Sequence, residues 1–404
     1  MTGYVGKRSM SSKPLRIGIV ADLVEEGWPS MDLVAEVLMT ELARPGSPVT
    51  PVLLRPEFRS RVGRWMSTDN GRARTIDRII NRFHDYPRWL RARREAADVF
   101  HLIDHSYAHL VDELPAGRVV VTCHDTDAFR PLVHDGLRES RLPHRMVRRV
   151  LTGLRHADIV TCVSETTRRD LVGTGLVPLE HTEVVLNGVH PSCSPAPDAA
   201  ADNAARALLG PVTSPELLHV GSTIPRKRVD VLLRAFKAVV SDRPDVRLVR
   251  VGGPFTPAQE RLASELGITS QIVVLPFLER PVLAAVYRRA ALLLQPSERE
   301  GFGLPIVEAM ACGTPVVATD LPVLREVGGD AVSFVSLEDI QGWQIAIEQL
   351  LDQRSRQPAA WESRRTAAIS RAAMYSWARF AQQMTGLYAR LAEGNRAEAA
   401  LAAR

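Results

Sequence analysis

The chain has 404 residues, 45% hydrophobic and 24% charged, the make-up of a folded protein too long for one ordinary domain. No apolar run approaches the ~20 residues needed to span a bilayer, and the polar first dozen residues lack a signal peptide's apolar stretch. Cys123, Cys162, Cys193 and Cys312 are scattered with no C-x-x-C pair, which argues against a disulfide framework or zinc ribbon and fits reduced thiols and a cytoplasmic location.

Net charge is +5 and the pI about 9.2. The excess is local: between Arg55 and Arg94 stand twelve arginines against four acidic residues. Such a run is either a solvated helical face or a surface for an anionic partner, a lipid leaflet or a phosphorylated acceptor. No nucleic-acid module accompanies it, so nucleic acid is not an expected partner.

In chain order, LRIGIVAD (Leu15–Asp22) is a short apolar run that predicts a buried strand. Met31, Val34, Leu38 and Leu42 then recur at helical spacing. VTPVLL, ADVFHLID, RVVVTC and ADIVTCVS (from Val49, Ala97, Arg118 and Ala157) read as four more strands, with a basic helix over about Leu142 to His156 before the last. Ser164 is placed to cap a helix from Glu165 to Val172, and EVVLNGV (Glu183–Val189) closes the half. Strands alternating with helices predict a doubly wound α/β sheet.

Pro191 to Pro215, rich in Pro, Ala and Ser, reads as an interdomain linker. A second alternating series follows. Its strands are ELLHVG, VRLVRVGG, QIVVLPF, ALLLQPS and TPVVATD. Its helices start near Val229, Pro257, Pro281 and Pro305; the first has Val229, Leu232, Leu233 and Phe236 on one face. The expected organisation is a first Rossmann-like domain over 1–195, a linker over 196–213 and a second Rossmann-like domain over 214–372. A closing helix over 373–395, carrying Trp377, Phe380, Met384 and Tyr388, would pack back on the first domain. Ligands of such sheets sit at the carboxyl ends of the strands, so the cleft between two of them is the default site.

Two segments at those strand ends carry chemistry. In QPSEREGFGLPIVEAMACGTPVVATD (Gln295–Asp320) a loop presents Glu300, and Gly301-Phe302-Gly303 lets backbone approach a ligand. Pro305 suits a first helical turn, and the amides from Gly303 through Leu304 to Ile306 would open toward an anion. Glu308 follows Glu300 by eight residues, and carboxylates accept paired hydrogen bonds from the vicinal hydroxyls of sugars. In VVVTCHDTDAF (Val119–Phe129), His124 ends a strand, and Asp125-Thr126-Asp127 could hold a divalent metal or shape the loop.

Gln295–Asp320 resembles, along its whole length, the E-x7-E signature of retaining GT-B fold glycosyltransferases, family 4 in particular. HVGSTIPRKRVDVLLRAF (His219–Phe236) is similar to that family's diphosphate-binding strand–loop–helix, and VTCHDTDAF to its strand-end histidine segment. VSETTRRDLV, VLNGVHP and SWARFAQQMTGLY resemble further family segments, so the likeness covers nearly the whole chain. The resemblance implies a GT-B fold and transfer of a sugar from a nucleoside-diphosphate sugar to an acceptor hydroxyl with retention. It places Arg226 and Lys227 on the diphosphate, Glu300 on the sugar, Glu308 on the ribose and His124 near the anomeric centre. The other donor contacts it implies are Gly27, Gly221, Ser222, Thr223, Gly301, Phe302, Gly303 and Leu304. Ser222 stands where many members carry arginine, and the first loop, VEEGWPSMD, has Gly27 alone where they often have a glycine pair.

The same resemblance implies no cofactor and no metal: Asp-x-Asp metal sites belong to the other, single-domain glycosyltransferase fold. The acceptor would be a glycan, a small molecule or a lipid-linked or anionic compound, with peripheral association at the inner membrane face allowed by the arginine-rich segment. Two other readings remain: a degenerate binding subunit, and an epimerase or hydrolase of the same fold.

Overall fold

The computed structural model describes residues 13–62, 71–133 and 141–402. Part of the arginine-rich segment lies outside the described residues. Among the described residues, twelve strands form two six-stranded sheets. The first holds β1 (Leu15–Val20), β2 (Val49–Leu54), β3 (Val99–Leu102), β4 (Val119–Cys123), β5 (Ile159–Cys162) and β6 (Thr182–Val184), ordered β2-β1-β3-β4-β5-β6. The second holds β7 (Glu216–Val220), β8 (Arg247–Val251), β9 (Ile272–Leu275), β10 (Leu292–Gln295), β11 (Val316–Thr319) and β12 (Val332–Val335), ordered β12-β11-β10-β7-β8-β9. Neighbouring strands pair in parallel.

Every parallel pair needs a crossover, and the helices that supply it cover both faces, which is why the strands read as unbroken apolar runs. Leu218, Val249 and Leu293 pack to one side of the second sheet, Leu217, Leu248 and Leu292 to the other. Strand order reverses between β1 and β3 in the first sheet and between β7 and β10 in the second. The loops leaving those strands are the positions at which doubly wound sheets bind their ligands.

The helix Trp377–Ala402 returns to the first domain. Its Trp377, Phe380, Met384 and Tyr388 pack on Ile17, Leu38 and Val99, and the Tyr388 hydroxyl lies 2.8 Å from Nδ1 of buried His101. The chain crosses between domains twice, and the crossings touch: Val189 N donates to Tyr375 O at 3.3 Å. A Cβ on Gly188 would lie 2.2 Å from Trp377 N, so only glycine lets the crossings come this close.

The stretch expected to be a plain linker holds a helix, Ala199–Leu209. Asp198 caps it on Ala200 N and Ala201 N, and Ala201, Ala205 and Leu209, spaced by four, are buried. The Pro and Ser content at its edges hid that stripe. Helices over Ile340–Arg356 and Pro358–Ala372, and strand β12, also lie beyond the elements expected from pattern.

Candidate active site

The two loops at the second switch point are bolted together. After β7 the chain runs through Gly221 to a short turn, Pro225–Lys227, and enters the helix Val229–Asp242. After β10 it runs to Gly303, which caps the helix Leu304–Ala311. Lys227 Nζ lies 2.6 Å from Glu300 Oε1, and Gln295 Nε2 donates to the same oxygen at 2.7 Å. Arg226 Nη1 lies 3.5 Å from Glu300 Oε2 and donates to Arg299 O at 3.1 Å. Glu298 N donates to Arg226 O at 2.8 Å.

Burial alone would raise the Glu300 carboxyl, but Lys227 and Arg226 outweigh it and hold the group below its usual range. Glu300 is therefore ionised at neutral pH. Arg228 turns away from the site with a left-handed backbone (φ 46°), held by a two-pronged contact with Asp230 at 3.0 Å and one with Glu338 at 2.8 Å. That conformation costs roughly 1–2 kcal/mol in a non-glycine residue. Of the run Arg226-Lys227-Arg228, the first two face the site and the third tethers the loop.

Glu308 stands one turn into its helix, 4% exposed. The Tyr287 hydroxyl donates to it at 2.9 Å and Arg280 lies 3.5 Å away. Burial pushes its carboxyl up, only partly offset by Arg280 and Tyr287. The Phe302 and Leu304 side chains turn inward: Phe302 is buried edge-on against Tyr375, and Leu304 packs against the core. Gly221, Ser222 and Thr223 line the loop half-buried, with Gln259 Nε2 on Thr223 O at 3.4 Å. Gly27 lies apart, in a left-handed turn after β1; the nearest described bond from the second domain runs from Arg280 to Pro29 O, at 3.3 Å.

From the first domain, His124 meets this assembly. Its Nε2 lies 2.7 Å from Ile103 O, so Nε2 carries the proton and Nδ1 keeps a lone pair. Burial lowers its basicity, so the ring is neutral at pH 7. Its carbonyl touches Gly301, where a Cβ would lie 1.7 Å from the oxygen. Gly301 O in turn accepts from Ser164 Oγ at 2.9 Å and Thr167 Oγ1 at 3.1 Å. Glu326, on the helix Pro322–Gly328, accepts from Glu165 N at 2.7 Å and Thr166 N at 2.9 Å across the same boundary. Ser164 caps its own helix as expected, accepting from Thr167 N.

Asp125 and Asp127 face guanidinium groups. Asp125 Oδ2 and Asp127 Oδ2 lie 3.6 and 3.5 Å from Arg226, and Asp127 Oδ1 lies 2.9 Å from Arg299. These residues line a pocket of about 220 Å³ between the domains. A larger depression, about 590 Å³, lies beside the linker helix at the amino ends of β7 and β10, where its Arg289 bonds Glu216 at 2.6 Å; ligands of such sheets sit at the opposite, carboxyl ends, so it is not the site.

Sequence reasoning passed over a cluster at the first switch point. Asp22, just beyond β1, is 3% exposed and both its carboxyl oxygens lack a hydrogen-bond partner. Asp104, just beyond β3, lies 3.2 Å from His105 Nδ1, and His105 Nε2 lies 3.9 Å from Asp125. The available signal was an acidic residue ending each of the two strands.

Two facing Rossmann-like domains with a basic and acidic loop pair at the second switch point define a GT-B fold. Comparison with known proteins agrees. A model of glycosyl transferases group 1 matches residues 200–367 and one of glycosyltransferase family 4 matches residues 34–192. Together they span most of the chain, which belongs to the group 1 glycosyltransferases. A D-inositol 3-phosphate glycosyltransferase of Thermobispora bispora is 35% identical over 246 residues, 57% of this chain and 56% of that protein. One from Mycolicibacterium smegmatis is 40% identical over 204 residues, 48% and 45% of the two chains. The chain thus spans about half the length of the curated relatives it matches. Sucrose-phosphate synthase of Thermosynechococcus elongatus superposes with a TM-score of 0.72 at 20% identity, covering 93% and 99% of the two chains. Anabaena Alr3699/HepE, solved with UDP-glucose, gives 0.70 at 16% identity, covering 93% and 100%.

Proposed function

We propose that this chain moves a sugar from a nucleoside-diphosphate sugar to an acceptor hydroxyl, with retention at the anomeric carbon. The observation that carries the reading is Glu300, buried yet ionised between Lys227 and Arg226, opposite His124 at the mouth of the interdomain cleft. Lys227 and Arg226 take the diphosphate and balance the charge that grows on it as the sugar leaves. Glu300 accepts from the sugar hydroxyls, Glu308 from the ribose. The Nδ1 lone pair of His124 accepts a further sugar hydroxyl. On the retaining path the leaving phosphate oxygen takes the acceptor's proton on the same face, so no side chain is needed as base.

The UDP-glucose neighbour favours a UDP-sugar donor. The curated relatives favour a polyol phosphate acceptor, which would enter over Asp22, Asp104 and His105. No metal takes part: guanidinium groups already answer Asp125 and Asp127, and excess chelator should leave turnover unchanged. The setting is the cytoplasm, with exposed Arg74, Arg88, Arg93 and Arg94 beside exposed Ile76 and Ile79 suited to an anionic membrane face.

The test is nucleotide release from a panel of UDP-, GDP- and ADP-sugars, with and without inositol phosphate. One donor should be consumed, faster with acceptor. A donor bound and never consumed favours a binding subunit. Conversion to an isomeric nucleotide sugar favours an epimerase.

A further inference from the structure

Arg250, on β8, is fully buried and, among the described residues, makes no ion pair. Its guanidinium donates to Gly221 O at 2.9 Å and to Gly253 O, with Phe255 5.2 Å from its centre and Nε left without a partner. Burial draws its pKa down to about 10, which leaves it charged at neutral pH. A buried charge of this kind is costly unless something answers it. The other cations of the site are answered: Lys227 by Glu300, and Arg226 by Asp125, Asp127 and Glu300. Beside Arg250 in the β7–β8 register lies His219, fully buried, with both ring nitrogens unpartnered and kept neutral by burial and by Arg250.

The loop that Arg250 holds borders the donor site. The position a Gly221 Cβ would take is 3.8 Å from Lys227 Cδ. In a trans peptide the C=O and N–H point to opposite sides. With Gly221 O drawn onto Arg250, the Ser222 N–H points away from it, on the half-exposed rim of the loop.

Resting on the donor reading above, we propose that Arg250 is a positioning residue of the diphosphate site: it fixes the Gly221–Ser222 peptide with its N–H toward the donor and leaves an unbalanced positive charge that the diphosphate completes. Lys227 and Arg226 touch the anion directly; Arg250 acts from beneath the loop. The arrangement supplies positive charge on the side where residue 222 is an uncharged serine.

The test is calorimetric titration of the full chain with UDP, GDP, ADP and their nucleosides. Wild type should bind one diphosphate more tightly than its nucleoside. Arg250→Met should cut that preference by roughly tenfold or more, the scale of one partly screened charge, and leave nucleoside affinity within about twofold. Arg250→Lys should restore part of the preference. The unliganded Arg250→Met chain should melt no lower than wild type, since an unpaired buried charge is gone. An unchanged preference overturns the proposal, as does parallel loss of diphosphate and nucleoside binding, the mark of a loop brace alone. If Arg250→Met does not fold, Arg250→Gln and Arg250→Lys make the same comparison, and equal preferences in both and wild type overturn it. A wild-type chain that binds none of the diphosphates removes the donor reading and this assignment with it.

Discussion

Asp22 and Glu300 are both buried carboxyls at the carboxyl edge of a sheet, yet their surroundings push them in opposite directions. Glu300 has Lys227 and Arg226 and stays ionised. Asp22 is raised well above the ordinary carboxyl value, first by burial and then by Asp104. The folded state therefore holds the Asp22 proton more tightly than the unfolded chain does. Its contribution is fully present below the unfolded value near ~3.9 and is lost as pH rises through the raised folded value. Asp22→Asn should remove that loss. Stability from urea unfolding should change little at pH 4 and rise on the order of 1–3 kcal/mol at pH 8; a variant weaker than wild type at pH 8 contradicts the assignment. Sequence alone marked Glu300, Glu308, Lys227 and His124, because each sits in a motif at a strand end. Asp22, Asp104 and Arg250 were not marked: their meaning depends on which residues distant in sequence fold beside them, and no local pattern encodes that.

At the scale of elements, the contact between the 298–303 loop and the first domain sets how far the cleft closes. Gly301 has no room for a side chain beneath the His124 carbonyl. Gly301→Ala should force the two loops apart, lowering donor turnover by roughly a hundredfold or more through lost alignment, while the separate sheets stay folded. Small-angle scattering should report a larger radius of gyration; wild-type dimensions with full turnover contradict the account. Asp127 bridges Arg226 and Arg299 where a diphosphate would compete for the same guanidinium. Asp127→Asn should free Arg226 and tighten nucleoside-diphosphate binding several-fold by calorimetry, and weaker binding would count against that competition. Strands and most helices were legible from apolar runs and from caps such as Ser164. The helix Ala199–Leu209 was not, because alanine-rich sequence between prolines looks like a spacer until Ala201, Ala205 and Leu209 find a surface to bury against.

Over the whole molecule, two Rossmann-like sheets place their switch points face to face, and the second crossing carries the C-terminal helix back onto the first domain. The two-domain plan could be read from the alternation of strands and helices on both sides of the linker. The closeness of the domains could not, because it rests on backbone approaches at Gly188 and Gly301 and on the Glu326 cap, which join residues distant in sequence. On the proposed reading, closure of this kind would exclude water from the reacting sugar and limit wasteful hydrolysis. The central claim is that Glu300 serves the sugar while Lys227 and Arg226 serve the diphosphate. It is tested most directly by comparing Glu300→Ala with wild type in nucleotide-sugar turnover and, in parallel, in nucleoside-diphosphate affinity. The account predicts turnover lower by about a thousandfold or more, a folded chain, and diphosphate affinity within about tenfold of wild type. Turnover within threefold of wild type in the folded variant would contradict it.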